Sequence, residues 1–189
     1  ERGNWASAVY LPLEVSCEMR ELQERLVTKL SVAGAFWTVL DEPHLSLSRT
    51  FTLRFHQIAP LVETLRASLR SAAPVAVRCD HFEVLVNDEG TRSFVVARVA
   101  ADCESACHAL LQRVDESLRE FKCATYYENP SFHVSLLWCL GDVSSSVTDQ
   151  PDVMAALNSV IQEHSDAFTF FLDEVVCKTG HQLHQIPLG

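Results

Sequence analysis

The sequence predicts an α+β fold: two pseudo-symmetric lobes of antiparallel sheet, flanked by helices, with a central cleft. Three observations carry that expectation. A strand, a long helix and a second strand follow one another in each half of the chain. The halves keep the same internal distance, because Trp5 to His44 and Phe94 to His133 each span 39 positions. Hydrophobic residues make up 48% of the 189, enough for a sizeable core. Residues 1–189 are therefore expected to form a single domain of two intertwined lobes.

Asn4 to Leu13 reads as the first strand, with Trp5, Val9, Tyr10 and Leu11 as its apolar content. Glu14 to about Val32 reads as an amphipathic helix, since Met19, Leu22, Leu26, Val27 and Leu30 recur near helical spacing. Pro43 bars a helix and favours an extended entry to His44. His56 to Ser71 repeats the helical pattern through Ile58, Leu61, Val62, Leu65 and Leu69. Val75–Val86 and Ser93–Val99 flank the turn Asn87-Asp88-Glu89-Gly90 and predict a hairpin. Asp102 is placed to cap a helix that runs to Phe121. Asn129-Pro130-Ser131 breaks the chain just before His133. Gly141 to Asp152 reads as a loop and Val153 to Glu163 as a short helix. Phe168–Cys177 with Gln182–Ile186 reads as a closing hairpin around Thr179-Gly180.

The chemistry lies in a phrase written twice. His44-Leu45-Ser46-Leu47 recurs as His133-Val134-Ser135-Leu136, 89 residues later. In a strand alternate side chains share a face, so each His and Ser points one way and each Leu45 or Val134 the other, into the core. One His-x-Ser carries little information; two in matching contexts carry much more. An approximate two-fold between the lobes would set the two motifs face to face. Imidazole titrates near neutral pH, so one ring can take a proton while its twin gives one. Cleavage of an RNA phosphodiester through its own 2′-hydroxyl needs that base, that acid, and hydrogen-bond donors for the charge on the non-bridging oxygens. His44, His133, Ser46 and Ser135 meet the list with no metal and no cofactor. Tyr126-Tyr127, just upstream of the second motif, offers an aromatic ring to stack on a base.

Other patterns bound the reading. The formal charge is −10, which argues against non-specific grip on long nucleic acid, while leaving a short anionic end in a cleft open. Arg49, Arg54, Arg92, Arg98 and Lys178 are the candidate local cations. Seven cysteines with no Cys-x-x-Cys pair suit a reducing compartment and buried free thiols. Cys177, His181 and His184 lack a fourth zinc ligand and read as residues of the final hairpin. His56, His81, His108 and His164 have no partner pattern. No P-loop or dinucleotide fingerprint is present, and no apolar run is long enough to span a membrane. The chain opens on Glu1 rather than Met and shows no secretory leader, so it is expected to be trimmed from a longer protein whose targeting tail is not seen.

The paired His-x-Ser strands resemble the 2H phosphoesterase superfamily. More narrowly, six segments are similar to the animal U6 small nuclear RNA 3′-end phosphodiesterases. They are Glu1-Arg2-Gly3-Asn4-Trp5-Ala6, His44-Leu45-Ser46-Leu47-Ser48, Thr91-Arg92-Ser93-Phe94, Tyr127 to Leu136, Trp138-Cys139-Leu140-Gly141-Asp142 and Cys177-Lys178-Thr179-Gly180. The resemblance runs almost end to end and is most specific around His133. It implies a metal-independent exoribonuclease working 3′ to 5′ on the uridine-rich end of U6 RNA and leaving a 2′,3′-cyclic phosphate. His44 and His133 would be catalytic, Ser46 and Ser135 would hold phosphate oxygens, and Tyr127 would stack the terminal base. The expected partner is the RNA 3′ end, not DNA or a membrane. The expected state is a monomer and the expected location the nucleus. Two other readings remain open here: a 2H enzyme for cyclic phosphates or 2′,5′-linked oligonucleotides, and a nucleotide-binding module without catalysis.

Overall fold

The computed structural model describes residues 3–31 and 34–189. Glu1 and Arg2 of the first resemblance segment, and Val32 at the expected end of the first helix, lie outside them. The strands are β1 (Asn4–Pro12), β2 (Thr38–Val39), β3 (His44–Ser46), β4 (Phe51–Arg54), β5 (Val75–Val86), β6 (Arg92–Val99), β7 (His133–Leu140), β8 (Thr169–Leu172), β9 (Glu174–Thr179) and β10 (Gln182–Pro187). The helices are α1 (Cys17–Leu30), α2 (Phe55–Leu69), α3 (Glu104–Glu120), α4 (Ser144–Thr148) and α5 (Pro151–Glu163).

All strands join one antiparallel path, β10-β9-β1-β3-β7-β6-β5-β8, with β4 also on β1 and β2 on β7. The α+β reading and its internal repeat hold: β1, α1 and β3 in the first half match β6, α3 and β7 in the second. β3 and β7 are the seam between the halves. They are hydrogen-bonded neighbours with Leu45 opposite Val134, so the two motifs lie side by side rather than face to face. β8 and β9 are separated only by Asp173, yet they lie near opposite ends of the path. The sheet must therefore curl. It carries a core on one face that includes Leu45 and Val134, both fully buried.

Several local departures have physical reasons. Helix α1 starts at Cys17 because Ser16 accepts the Met19 N–H and caps it. Asp102 does not cap α3. A 3₁₀ turn, Ala101–Cys103, precedes that helix, and the Asp102 carboxylate pairs with Arg78 at 2.9 Å. The expected 141–152 loop contains α4, and Pro151 at the first position of α5 starts that helix earlier than expected. The expected strand 168–177 is two strands: β8 pairs with β5, and only β9 forms the closing hairpin with β10. Cys79, Cys107, Cys139 and Cys177 are buried as expected, but Cys103 and Cys123 are half-buried and Cys17 is exposed.

One irregularity fixes the seam. Between Ser135 and Leu137 strand β7 carries an extra residue, Leu136, against β6. Leu136 and Leu137 are both buried, and the Leu136 carbonyl is bonded on the side of β2, outside the β6–β7 pairing. It accepts the Leu40 N–H at 2.9 Å and Gln23 Nε2 at 3.0 Å. Gln23 is fully buried, and its Nε2 also donates to the Leu40 carbonyl at 2.9 Å. One amide of α1 thus pins both the segment leading to His44 and the strand carrying His133.

Candidate active site

The Leu45–Val134 pairing decides where the motif side chains go. In an antiparallel register it sets His44 opposite Ser135 and Ser46 opposite His133. Because side chains alternate, all four polar groups share the face away from the core. The two histidines are then diagonal neighbours on adjacent strands, with backbones about 7–8 Å apart. That separation leaves room for one phosphorus between the ring tips. The His44 charge reaches His133 and opposes its protonation.

Each ring is aimed by the same device. His44 Nδ1 lies 3.1 Å from the Glu42 carbonyl oxygen, and His133 Nδ1 lies 2.6 Å from the Ser131 carbonyl oxygen. A carbonyl only accepts, so Nδ1 carries the proton in both rings, and Nε2 is the atom that takes or gives one. In each case the carbonyl belongs to the residue two positions upstream. A bend lies just upstream in each case, at Asp41-Glu42 and at Glu128-Asn129.

Burial lowers the proton affinity of both histidines. For His44 the Glu42 carbonyl works against that shift and Lys178 adds to it. For His133 the Ser131 carbonyl works against it and Arg98 adds to it, with Glu83 opposing. The Tyr10 ring lies against His44, centroid to centroid 4.6 Å.

A cavity of about 570 Å³ opens beside this face. His133, Ser135 and Tyr127 line it, together with Arg49 and the β5–β6 turn. His44 and Ser46 are not in its wall; strand pairing brings them alongside it. Tyr127 is 45% exposed. Its hydroxyl donates to Asp88 at 3.0 Å, and the Arg49 guanidinium covers its ring at 4.6 Å. Tyr126 is packed inward, and burial pushes its hydroxyl up to about 12.

Of the candidate cations, Arg49, Arg98 and Lys178 cluster at the site. Arg92 stacks on Trp138, and Arg54 closes the N-terminus of α2. Asp88 and Glu83 carry no motif that marks them as site residues in the sequence. The only signal for them was their place in the hairpin that reaches over the cavity. Cys177 and His184 pair across the β9–β10 hairpin, with His184 Nε2 3.0 Å from Thr179 Oγ1. His164 does have partners, Glu18 at 3.3 Å and Arg25 at 2.9 Å. So does His81, which contacts Asp80 at 2.5 Å and Glu83 at 3.2 Å. Among the described residues no group of three His, Cys, Asp or Glu is placed to hold a metal ion, and no helix is long and apolar enough to cross a membrane.

Comparison with known proteins agrees with the fold. Solved structures share the fold at low identity. Kluyveromyces marxianus Usb1 with uridine monophosphate superposes with a TM-score of 0.72 at 12% identity, over 97% of this chain and 98% of that one. E. coli LigT complexed with 3′-AMP gives 0.60 at 12% identity, over 98% and 96%. The HVSL family model, described as an uncharacterised conserved protein, matches residues 1–187. U6 snRNA phosphodiesterase 1 of Xenopus laevis is 37% identical over 191 residues, covering all of this chain and 75% of that protein. Its Homo sapiens counterpart is 32% identical over 195 residues, covering all of this chain and 71% of that protein. On this full-length match the chain belongs to the HVSL family, with the U6 snRNA phosphodiesterase 1 proteins.

Proposed function

We propose that this chain is an RNA phosphodiesterase, a metal-independent 3′–5′ exoribonuclease that trims the uridine-rich 3′ end of U6 small nuclear RNA. One observation carries the reading: two imidazoles, each locked with Nε2 as its reactive atom, share one sheet face with two serine hydroxyls. The names of its relatives supply the substrate class.

In the reaction His133 Nε2 removes the proton of the 2′-hydroxyl next to the last phosphodiester. The 2′-oxygen attacks phosphorus and the bond from phosphorus to the 5′-oxygen breaks. His44, protonated, gives its proton to that departing oxygen. A nucleoside leaves with a free 5′-hydroxyl, and the RNA ends in a 2′,3′-cyclic phosphate. Ser46 and Ser135 donate to the non-bridging oxygens, where charge builds up in the transition state. The terminal base stacks on Tyr127. DNA lacks the nucleophile and is not cleaved.

Burial favours the neutral form of both rings in the free protein. The phosphodiester anion then favours one imidazolium beside it, so the pair holds a single proton when substrate is bound. Each histidine comes from a different half of the chain, so residues 1–189 act as one domain and one copy is a complete catalyst. Action on U6 RNA, which the names of its relatives suggest, supports a nuclear role.

Mass spectrometry of the products from a short oligouridine, in excess chelator, tests this reading. It predicts stepwise shortening from the 3′ end, release of nucleoside, and a cyclic-phosphate terminus. Released 5′-mononucleotide with a 3′-hydroxyl left on the RNA would overturn it, as would cleavage that needs added metal.

A further inference from the structure

The halves are least alike behind His133. Arg98 of β6 is its direct cross-strand partner, so the two side chains share the cleft face. Arg98 is well covered, at 17% side-chain exposure. Its guanidinium donates to the Ser131 hydroxyl, and the Ser131 carbonyl is what holds His133 Nδ1. Its Nε is buried with no hydrogen-bond partner among the described residues, 3.6 Å from Glu83 Oε2. Glu104 of α3 lies 3.8 Å from the other side of the fork. His81 lies across from Arg98 on β5. Among the described residues the cation that acts on the proton affinity of His44 is Lys178, from a different strand pairing.

We propose that Arg98 is a positioning residue for His133: its fork anchors Ser131, whose carbonyl aims the ring, and its charge holds that imidazole neutral, so that His133 rather than His44 is the base. The inference rests on the reaction proposed above. It adds the device that breaks the symmetry of the two motifs. The charged and titratable groups facing His133 are Arg98 from β6, Glu83 and His81 from β5, Glu104 from α3 and His44 from β3. Arg98 is the permanent cation among them. A lysine in its place keeps the charge and loses the planar fork, so the two functions can be separated.

The test is histidine-resolved NMR titration of the substrate-free protein, with kcat and KM on oligouridine measured across pH. Arg98→Met should raise the His133 midpoint by about one pH unit, move the acidic limb of kcat/KM with it, and leave His44 nearly unmoved. Adding Glu83→Gln should bring the midpoint back down. Arg98→Lys should keep the midpoint but lower kcat about tenfold with little change in KM, because the Ser131 anchor is lost. Ser131→Ala, which keeps the charge, should behave like Arg98→Lys, and it decides the anchoring role if Arg98→Met fails to fold. An unmoved His133 midpoint in Arg98→Met would overturn the electrostatic role. Normal kcat in Ser131→Ala would overturn the anchoring role. The titration needs no turnover, so failure of the proposed reaction would show separately, as a wild-type protein that does not cleave oligouridine.

Discussion

His44 and His133 occupy equivalent places in the two halves, yet their surroundings differ. Each Nδ1 is held by the carbonyl two residues upstream, at 3.1 Å for His44 and 2.6 Å for His133. His44 is the more exposed of the two and packs its ring against Tyr10, with Lys178 near. His133 is half-buried in the cavity wall it shares with Tyr127, beside the Arg98–Glu83 pair. The repeated part is the aiming of the ring, which any two-proton reaction requires. The divergent part is the charge around it, which on our proposal decides which ring stays neutral once substrate brings a proton to the pair. An internal repeat thus supplies geometry, and local substitution supplies roles.

The largest effects should come from removing the repeated part. His44→Ala and His133→Ala should each lower turnover by on the order of 10² or more with the circular dichroism spectrum unchanged. The double variant should fall little below the worse single, because the two act in one step. Near-normal turnover in either single variant would break the pairing.

A smaller effect should fall on one half only. Tyr127→Ala should weaken binding of oligouridine by about 1–3 kcal/mol, seen as a raised KM, if the ring stacks the terminal base. Tyr127→Phe keeps the ring and loses only the hydroxyl bond to Asp88. It should cost much less. Equal losses in the two variants would mean that the hydroxyl and not the ring face matters.

The smallest effect concerns stability. Both site histidines bind protons less readily folded than unfolded. Below the unfolded value of about 6.5 the unfolded chain therefore takes up more protons, and this part of the stability is lost as pH falls. His81 works the other way: burial opposes its protonation, but Asp80 and Glu83 more than offset that. Its contribution is full below about 6.5 and fades as pH rises through its higher folded value. Thermal melts from pH 7 down to 5 should show a smaller loss in His44→Ala/His133→Ala than in wild type. A loss of the same size in both would exclude the site histidines as its source.

Much of this is legible in the sequence. The alternation in His44-Leu45-Ser46 and His133-Val134-Ser135 put four polar groups on one face, and the equal spacing of 39 announced the repeat. The seam was not legible. A side-by-side pairing and a face-to-face one put the same residues near each other, and only the Leu45–Val134 register distinguishes them. The Leu136 bulge has no glycine to mark it. Gln23 left a clue as a polar residue within the apolar stripe of α1, but its targets lie 17 and 113 residues away. Arg98 is a candidate local cation in the sequence with nothing to tie it to His133, and Glu83 and Asp88 look like any solvated charge of a strand or turn. Their meaning comes from strand neighbours that the linear order does not name.

The account stands or falls on two imidazoles serving one phosphate from opposite sides. A short oligouridine whose scissile 5′-oxygen is replaced by sulfur tests this directly, because a thiolate leaves without an acid's help. His44→Ala should recover most of its lost rate on that substrate, while His133→Ala should stay slow. Rescue of neither variant, of both alike, or of His133→Ala alone would contradict the account.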